Sequence, residues 1–208
     1  MGRRTADWTG EERLLAPDPF TGIDWRAAFG RDAPLVVEIG FGKDTFLLDL
    51  AARDPGANHL GVEYSRRRAA AFVRKAERRG LTNVRATRVH AAYVLARLLP
   101  AAGVRDIYLL FPDPWPKKRH AKNRLVQPLF ARSVHRVLRP GGTLTMATDD
   151  PAYRDQMIEV VEGHGGFVND LGAGAWADAL AAHAGTIFEE RWRRRGRSIH
   201  YLRFSVAG

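Results

Sequence analysis

Apolar positions in this chain fall in short blocks that alternate between two periods. Leu35–Ile39 (LVVEI) is a continuous apolar run between Pro34 and Gly40, as expected of a strand buried on both faces. Thr45–Arg53 follows, with Phe46, Leu47 and Leu50 on one helical face. His59–Val62 predicts a second strand. Ser65 can cap a helix that runs through Arg79 and closes at Gly80. Val84–Val89 and Ala91–Leu99 predict a third strand and helix, and Ile107–Phe111 a fourth strand. Leu125–Leu138 carries Val126, Phe130, Val134 and Val137 near helical spacing and stops at Arg139-Pro140-Gly141-Gly142. Thr143–Thr148 predicts a fifth strand, Tyr153–Glu162 a helix and Ser198–Phe204 a last strand. Residues 1–33 hold Pro17, Pro19, Gly22 and Gly30 and predict a partly ordered arm with one short helix near Trp25–Phe29.

Repeated strand–helix alternation predicts an α/β fold: one domain over residues 34–208, built on a doubly wound parallel sheet. Such sheets bind ligands beyond the carboxyl ends of their strands. The first strand ends in Glu38-Ile39-Gly40-Phe41-Gly42, where glycines let the backbone turn tightly and approach a ligand. The second ends in Glu63, placed to bind both hydroxyls of a ribose. A nucleoside cofactor fits, either NAD or S-adenosylmethionine. The third glycine of a pyrophosphate-binding GxGxxG is replaced by Thr45, and Asp44 would repel a pyrophosphate while tolerating a sulfonium and an ammonium. Those two residues favour S-adenosylmethionine.

The fourth strand runs into Phe111-Pro112-Asp113-Pro114-Trp115-Pro116, where three prolines forbid a continuing ladder or helix. Lys117, Lys118, Arg119, His120 and Lys122 follow at once. An acid, an indole and a cationic run at a strand end suggest a site for a polar substrate with phosphates nearby. Trp115 reads equally as rim packing or as a platform for a base. The net charge of +10 suits a polyanionic partner, and Arg191–Arg197 (RWRRRGR) is either a phosphate contact or a salt-bridged turn. Cysteine is absent, which excludes disulfide and thiolate chemistry. The histidines lack metal spacing, so no metal site is expected. There is no apolar run of about 18 residues and no signal-peptide core, which predicts a cytoplasmic protein without a membrane segment.

Taken together, these motifs resemble the bacterial tRNA (guanine-N7)-methyltransferases. The resemblance rests on Val37–Gly42, Leu60–Glu63, Leu81–Arg85, above all Leu110–His120 (LFPDPWPKKRH), then Val126-Gln127-Pro128, Leu138–Gly142, Met146–Asp149 and Thr186-Ile187-Phe188-Glu189. It implies a class I S-adenosylmethionine-dependent fold, Rossmann-like with an antiparallel C-terminal strand. It also implies N7 methylation of a guanosine in the variable loop of tRNA. By resemblance, Glu38, Gly40, Gly42, Glu63, His90 and Asp113 surround the cofactor, Asp113 is catalytic, and Lys117, Asp149, Thr186, Phe188 and Glu189 hold the substrate nucleoside. Guanine N7 has a free lone pair, so the task is alignment and stabilisation of a base becoming cationic, the role expected of Asp113. One of Asp149 and Asp150 is expected at the guanine edge and the other as a helix cap.

Two residues depart from the family pattern. Asp44 stands where the family has glycine. His90 stands where it has an acid facing the adenine amino group; a neutral imidazole could still accept one hydrogen bond there. The departures leave two alternatives open: a paralogue methylating a ring nitrogen of a small heterocycle, and a weakly active tRNA-binding homologue. A monomer and a homodimer are equally open.

Overall fold

The computed structural model describes residues 14–15, 23–180, 189 and 193–207. Among these residues, eight strands join in one sheet: β1 (Leu14–Leu15), β2 (Leu35–Ile39), β3 (Asn58–Val62), β4 (Val84–Thr87), β5 (Val104–Leu110), β6 (Leu138–Thr148), β7 (Phe167–Asn169) and β8 (His200–Val206). Their order is β1-β4-β3-β2-β5-β6-β8-β7. Pairings from β1 to β6 are parallel, and β8 runs antiparallel to both β6 and β7. The chain winds outward from β2 through β3 and β4, then returns to place β5 and β6 on β2's other side. The reversal makes β2/β5 the switch point at which such sheets open a crevice.

Helices cover both faces: α1 (Trp25–Phe29), α2 (Phe46–Arg53), α3 (Arg66–Arg78), α4 (Ala91–Tyr93), α5 (Pro128–Val137) and α6 (Pro151–Glu162). All five residues of β2 are buried. Val37 and Ile39 pack with Leu95, Phe130, Val134, Tyr153 and Met157 under α5 and α6. Val36 faces the other layer, with Leu47, Leu48, Phe72 and Val73 of α2 and α3. Two buried faces explain why this strand reads as an apolar run rather than an alternation. Ser65 caps α3 by accepting from Arg68 N, and Gly80 takes φ +65° just past its end, as expected.

Three boundaries differ from the sequence reading. The helix expected from Leu125 begins at Pro128, whose fixed φ suits a first helical position; Leu125 and Val126 stay outside it because Val126 N donates to the Tyr153 hydroxyl and Val126 O accepts from Gln156. Before it, Lys118–Asn123 forms a 3₁₀ segment. The helix after β4 is regular only over Ala91–Tyr93 and widens to a π turn over Val94–Leu98. β5 and β6 both start earlier than expected, because Val104 pairs with Leu138. β1 and β7 were not expected; two and three residues are too short for a periodic signal.

Candidate active site

A cleft of about 640 Å³ opens at the switch point, a size typical of small-molecule sites. Its walls come from the ends of four parallel strands: Glu38–Asp44 after β2, Val62–Tyr64 after β3, Val89–Ala91 after β4 and Leu109–Asp113 after β5, with Trp115, Asn123 and Leu125 closing one side.

The β2 turn needs its glycines. Gly40 has φ +76° and Gly42 φ +58°, values that L side chains rarely adopt. Gly40 N donates to Val62 O at 2.7 Å, tying the turn to β3. Gly42 N donates to Glu63 Oε2 at 3.1 Å, and Ser65 N donates to Oε1 at 2.8 Å. Arg68 adds a longer contact at 3.6 Å. Both oxygens of Glu63 are thereby fixed, and each keeps a lone pair for a further donor such as a ribose hydroxyl.

Glu38 lies deeper, 2% exposed. The Leu47 backbone N–H at the start of α2 donates to it, yet its Oε2 is buried without a partner. Burial pushes its pKa up to about 8, with the neighbouring Asp44 adding to the rise. Asp44 is also buried, and its Oδ1 accepts from Thr45 N at 2.7 Å. Such a pair suits a ligand's cationic end. The residues therefore fit S-adenosylmethionine: hydroxyl acceptors at Glu63, and at Glu38 a buried acceptor lacking a partner beside a second acid.

His90 lines the cleft. Its Nδ1 accepts from Ala92 N at 3.3 Å as it caps α4, which engages the one acceptor nitrogen of a neutral ring.

On the β5 side, Phe111 (φ +52°) and Trp115 (φ +42°) are both in the left-handed region, which costs of order 1 kcal/mol or more per non-glycine residue. Between them Asp113 is exposed, and its Oδ1 accepts from Trp115 N at 3.2 Å, bracing the turn. Trp115 lines the cleft and meets His120 edge-on at 5.8 Å. Arg124 holds the turn down. It is 8% exposed, donates from Nε to Pro114 O and from Nη1 to Gln156 Oε1, both at 2.8 Å, and lies over the Tyr153 ring. Sequence reasoning missed Arg124, which reads as one more cation in a basic run.

Of the expected substrate residues, the three described ones, Lys117, Asp149 and Glu189, do not line this cleft. Lys117 is exposed beyond the turn. Asp150 caps α6 by accepting from Tyr153 N at 2.7 Å, which leaves Asp149 as the acid outside the helix. Thr148 pairs with His200, so the chain entering β8 passes Asp149, and Arg197 bonds its Oδ2 at 2.6 Å. Glu189 bonds Arg193 at 3.0 Å. Thr186 and Phe188 lie outside the described residues. Among the described residues no group of three or more His, Asp or Glu side chains could hold a metal ion, and no helix is long and apolar enough to cross a membrane.

A family model described as "Putative methyltransferase" matches residues 32–202. The chain is 40% identical over 203 residues to the tRNA (guanine-N(7)-)-methyltransferase of Methylococcus capsulatus, covering 96% of this chain and 88% of that protein. It is 39% identical over 180 residues to the enzyme of the same name from Halorhodospira halophila, covering 86% and 78%. Among solved structures it is similar to the 16S rRNA methyltransferase KamB, with TM-score 0.60 and 16% identity over 94% of this chain and 99% of that one, a likeness of fold.

Proposed function

This chain belongs to the tRNA (guanine-N7)-methyltransferase family, and on that premise we propose that the cleft over β2, β3 and β5 holds S-adenosylmethionine and aligns its methyl group with N7 of a guanosine in the variable loop of tRNA. The observation that carries the reading is a cleft lined both by Glu38, whose buried Oε2 has no partner, and by Asp113. S-adenosylmethionine supplies an electrophilic methyl group on a sulfonium. Glu38 and Asp44 receive the cofactor's ammonium, Glu63 accepts from the ribose hydroxyls, and the His90 Nε2–H faces an acceptor nitrogen of adenine.

N7 attacks through its own lone pair, so no side chain has to remove a proton from it. Alignment within near-attack distance is the larger contribution. Asp113 lies at the cleft rim, where a purine gaining positive charge would be stabilised by a fixed carboxylate. The Asx turn to Trp115 N and the Arg124 anchor hold that carboxylate in place. Asp149 accepts from the guanine N1–H and 2-amino edge, a match of one carboxylate to two donors, with Glu189 as a second acid for the substrate guanine and Lys117 toward the phosphates. Residues 34–208 act as one catalytic domain, with 1–33 as an arm, and the proposed tRNA substrate suits a cytoplasmic protein.

Asp113→Asn tests the role of Asp113, because an asparagine oxygen can still accept from Trp115 N and only the charge is lost. With unmodified tRNA and labelled cofactor, kcat is expected to fall about 10²–10³-fold, in line with loss of one transition-state contact, with cofactor binding and melting temperature unchanged. Wild-type kcat in this variant would remove Asp113 from the mechanism. Absence of N7-methylguanosine in the product tRNA by nucleoside mass spectrometry would remove the functional reading itself.

A further inference from the structure

The two acids assigned above to the guanine edge share a feature that the methyl-transfer chemistry does not require. Each is held by an arginine of one short segment. Arg197 Nη1 lies 2.6 Å from Asp149 Oδ2, and Arg193 Nε lies 3.0 Å from Glu189 Oε1. The carboxylate side chains are 15% and 13% exposed, whereas the guanidinium side chains are 56% and 48% exposed. The arginines thus sit on the outside, between the acids and solvent. A cleft of about 460 Å³ runs beside them, lined by Asp178, Arg193, Gly196, Arg197, Ser198 and Ile199. The antiparallel register of β6 and β8 fixes the geometry: Thr148 opposes His200, and Gly196 takes φ +68° in the turn just before β8.

We infer that Arg193 and Arg197 are specificity-determining residues that cover the substrate acids until phosphates of a polynucleotide draw them away. The inference rests on the assignment of Asp149 and Glu189 to the substrate guanine. Its logic is one of charge. A guanine edge offers neutral donors, so it can replace a guanidinium on a carboxylate only if the guanidinium finds another anion. Guanosine alone brings none. A tRNA strand brings phosphates at every nucleotide, and arginine matches phosphate in the same bidentate geometry as carboxylate. Half-exposed ion pairs hold weakly, with a preference of at most about fivefold, so exchange with phosphate is easy. The acids are then uncovered most readily when a guanosine arrives within a nucleic acid chain.

The test uses Arg193→Gln, Arg197→Gln, the double variant and Arg197→Lys in the full-length protein, with unmodified tRNA transcript and free guanosine as probes. For the double variant, the slope of log binding constant against log salt is expected to shrink by about 1.4–1.8, the value for two lost phosphate contacts. The KM for tRNA is expected to rise about tenfold or more. Inhibition of tRNA methylation by free guanosine is expected to tighten by up to about fivefold, because neither acid is then held by an arginine. Arg197→Lys keeps the wild-type salt slope. A purely structural ion pair predicts the reverse: an unchanged slope, with tRNA turnover and guanosine inhibition weakening together. Either an unchanged slope or unimproved guanosine inhibition overturns the inference. Wild-type protein that binds tRNA but forms no N7-methylguanosine overturns the functional reading beneath it, an outcome distinct from a wild type that is active while the variants keep its slope.

Discussion

Glu38→Gln isolates the cost of burying this carboxyl in the cleft. Glu38 is buried, with one oxygen unpartnered and a pKa raised from 4.5 to about 8. Below pH 4.5 the side chain is neutral in both folded and unfolded protein and contributes nothing to the pH dependence. Between pH 4.5 and 8 the unfolded chain ionises while the folded chain keeps its proton. The folded state therefore binds more protons, and stability falls as pH rises, by about 1.4 kcal/mol per unit. The accumulated loss approaches about 5 kcal/mol near pH 8 and levels off above it. Glutamine fills the same volume and does not titrate. Relative to wild type, the variant is expected to gain almost nothing at pH 4.5, about 3 kcal/mol at pH 7 and about 4–5 kcal/mol at pH 8. Urea unfolding of both proteins at pH 5, 6, 7, 8 and 9 measures the difference directly. Stability differences that stay constant across this range would refute the reasoning, since they would mean that Glu38 ionises normally in the folded protein. Adding S-adenosylmethionine provides a second arm. A cation beside Glu38 favours its ionised form, so stabilisation by the ligand should grow with pH in wild type and stay flat in the variant.

Gly61→Ala places a Cβ 2.6 Å from the Phe41 ring, which cannot retreat because it stacks on Phe72 at 4.1 Å; a loss of about 1–3 kcal/mol from overpacking is expected in thermal unfolding, together with weaker cofactor binding, since Phe41 belongs to the β2 turn. Arg124→Met removes hydrogen bonds to Pro114 O and Gln156 Oε1 while keeping most of the volume. It is expected to cost about 2–3 kcal/mol and to lower kcat for tRNA more than cofactor affinity, as read by single-turnover kinetics beside calorimetry; equal losses in both would show that Arg124 supports the fold generally and not the Asp113 turn.

What was legible in the sequence follows from burial. β2, β3 and β4 are short and buried, so their apolar runs between turn residues marked them to within about two residues. The serine cap and closing glycine of α3 are local signals that tertiary contacts did not override. The cleft was legible because parallel strands bring the segments after β2, β3, β4 and β5 together whatever their sequence separation. The region 118–127 was not legible. Its backbone conformation is set by Arg124, Tyr153 and Gln156 across an interface with α6, and no local pattern encodes a partner about 30 residues away. The choice between Asp149 and Asp150 could be posed in sequence but not settled, because both precede Pro151; the cap geometry decides it. The arginine partners of Asp149 and Glu189 were hidden for the same reason, since a charge run does not say which of its members meet an acid.

The two departures from the family pattern gain a common meaning in the folded chain. By resemblance, the family has a glycine at 44 and an acid at 90. Here the acid stands at 44, and position 90 carries an imidazole whose Nδ1 is engaged by a backbone N–H. Both residues line the same cleft, so negative charge is shifted from the β4 side to the β2 side, next to Glu38. Asp44 adds to the field that keeps Glu38 protonated, so the cleft holds less negative charge than Glu38 would give it in water. A cation entering there would release that proton and be met by two carboxylates. A protein that only bound RNA would gain nothing from burying an acid at a cost of several kcal/mol near neutral pH; a cationic ligand of this cleft would repay it. The altered residues thus favour a working cofactor site with a redistributed charge over a lost one.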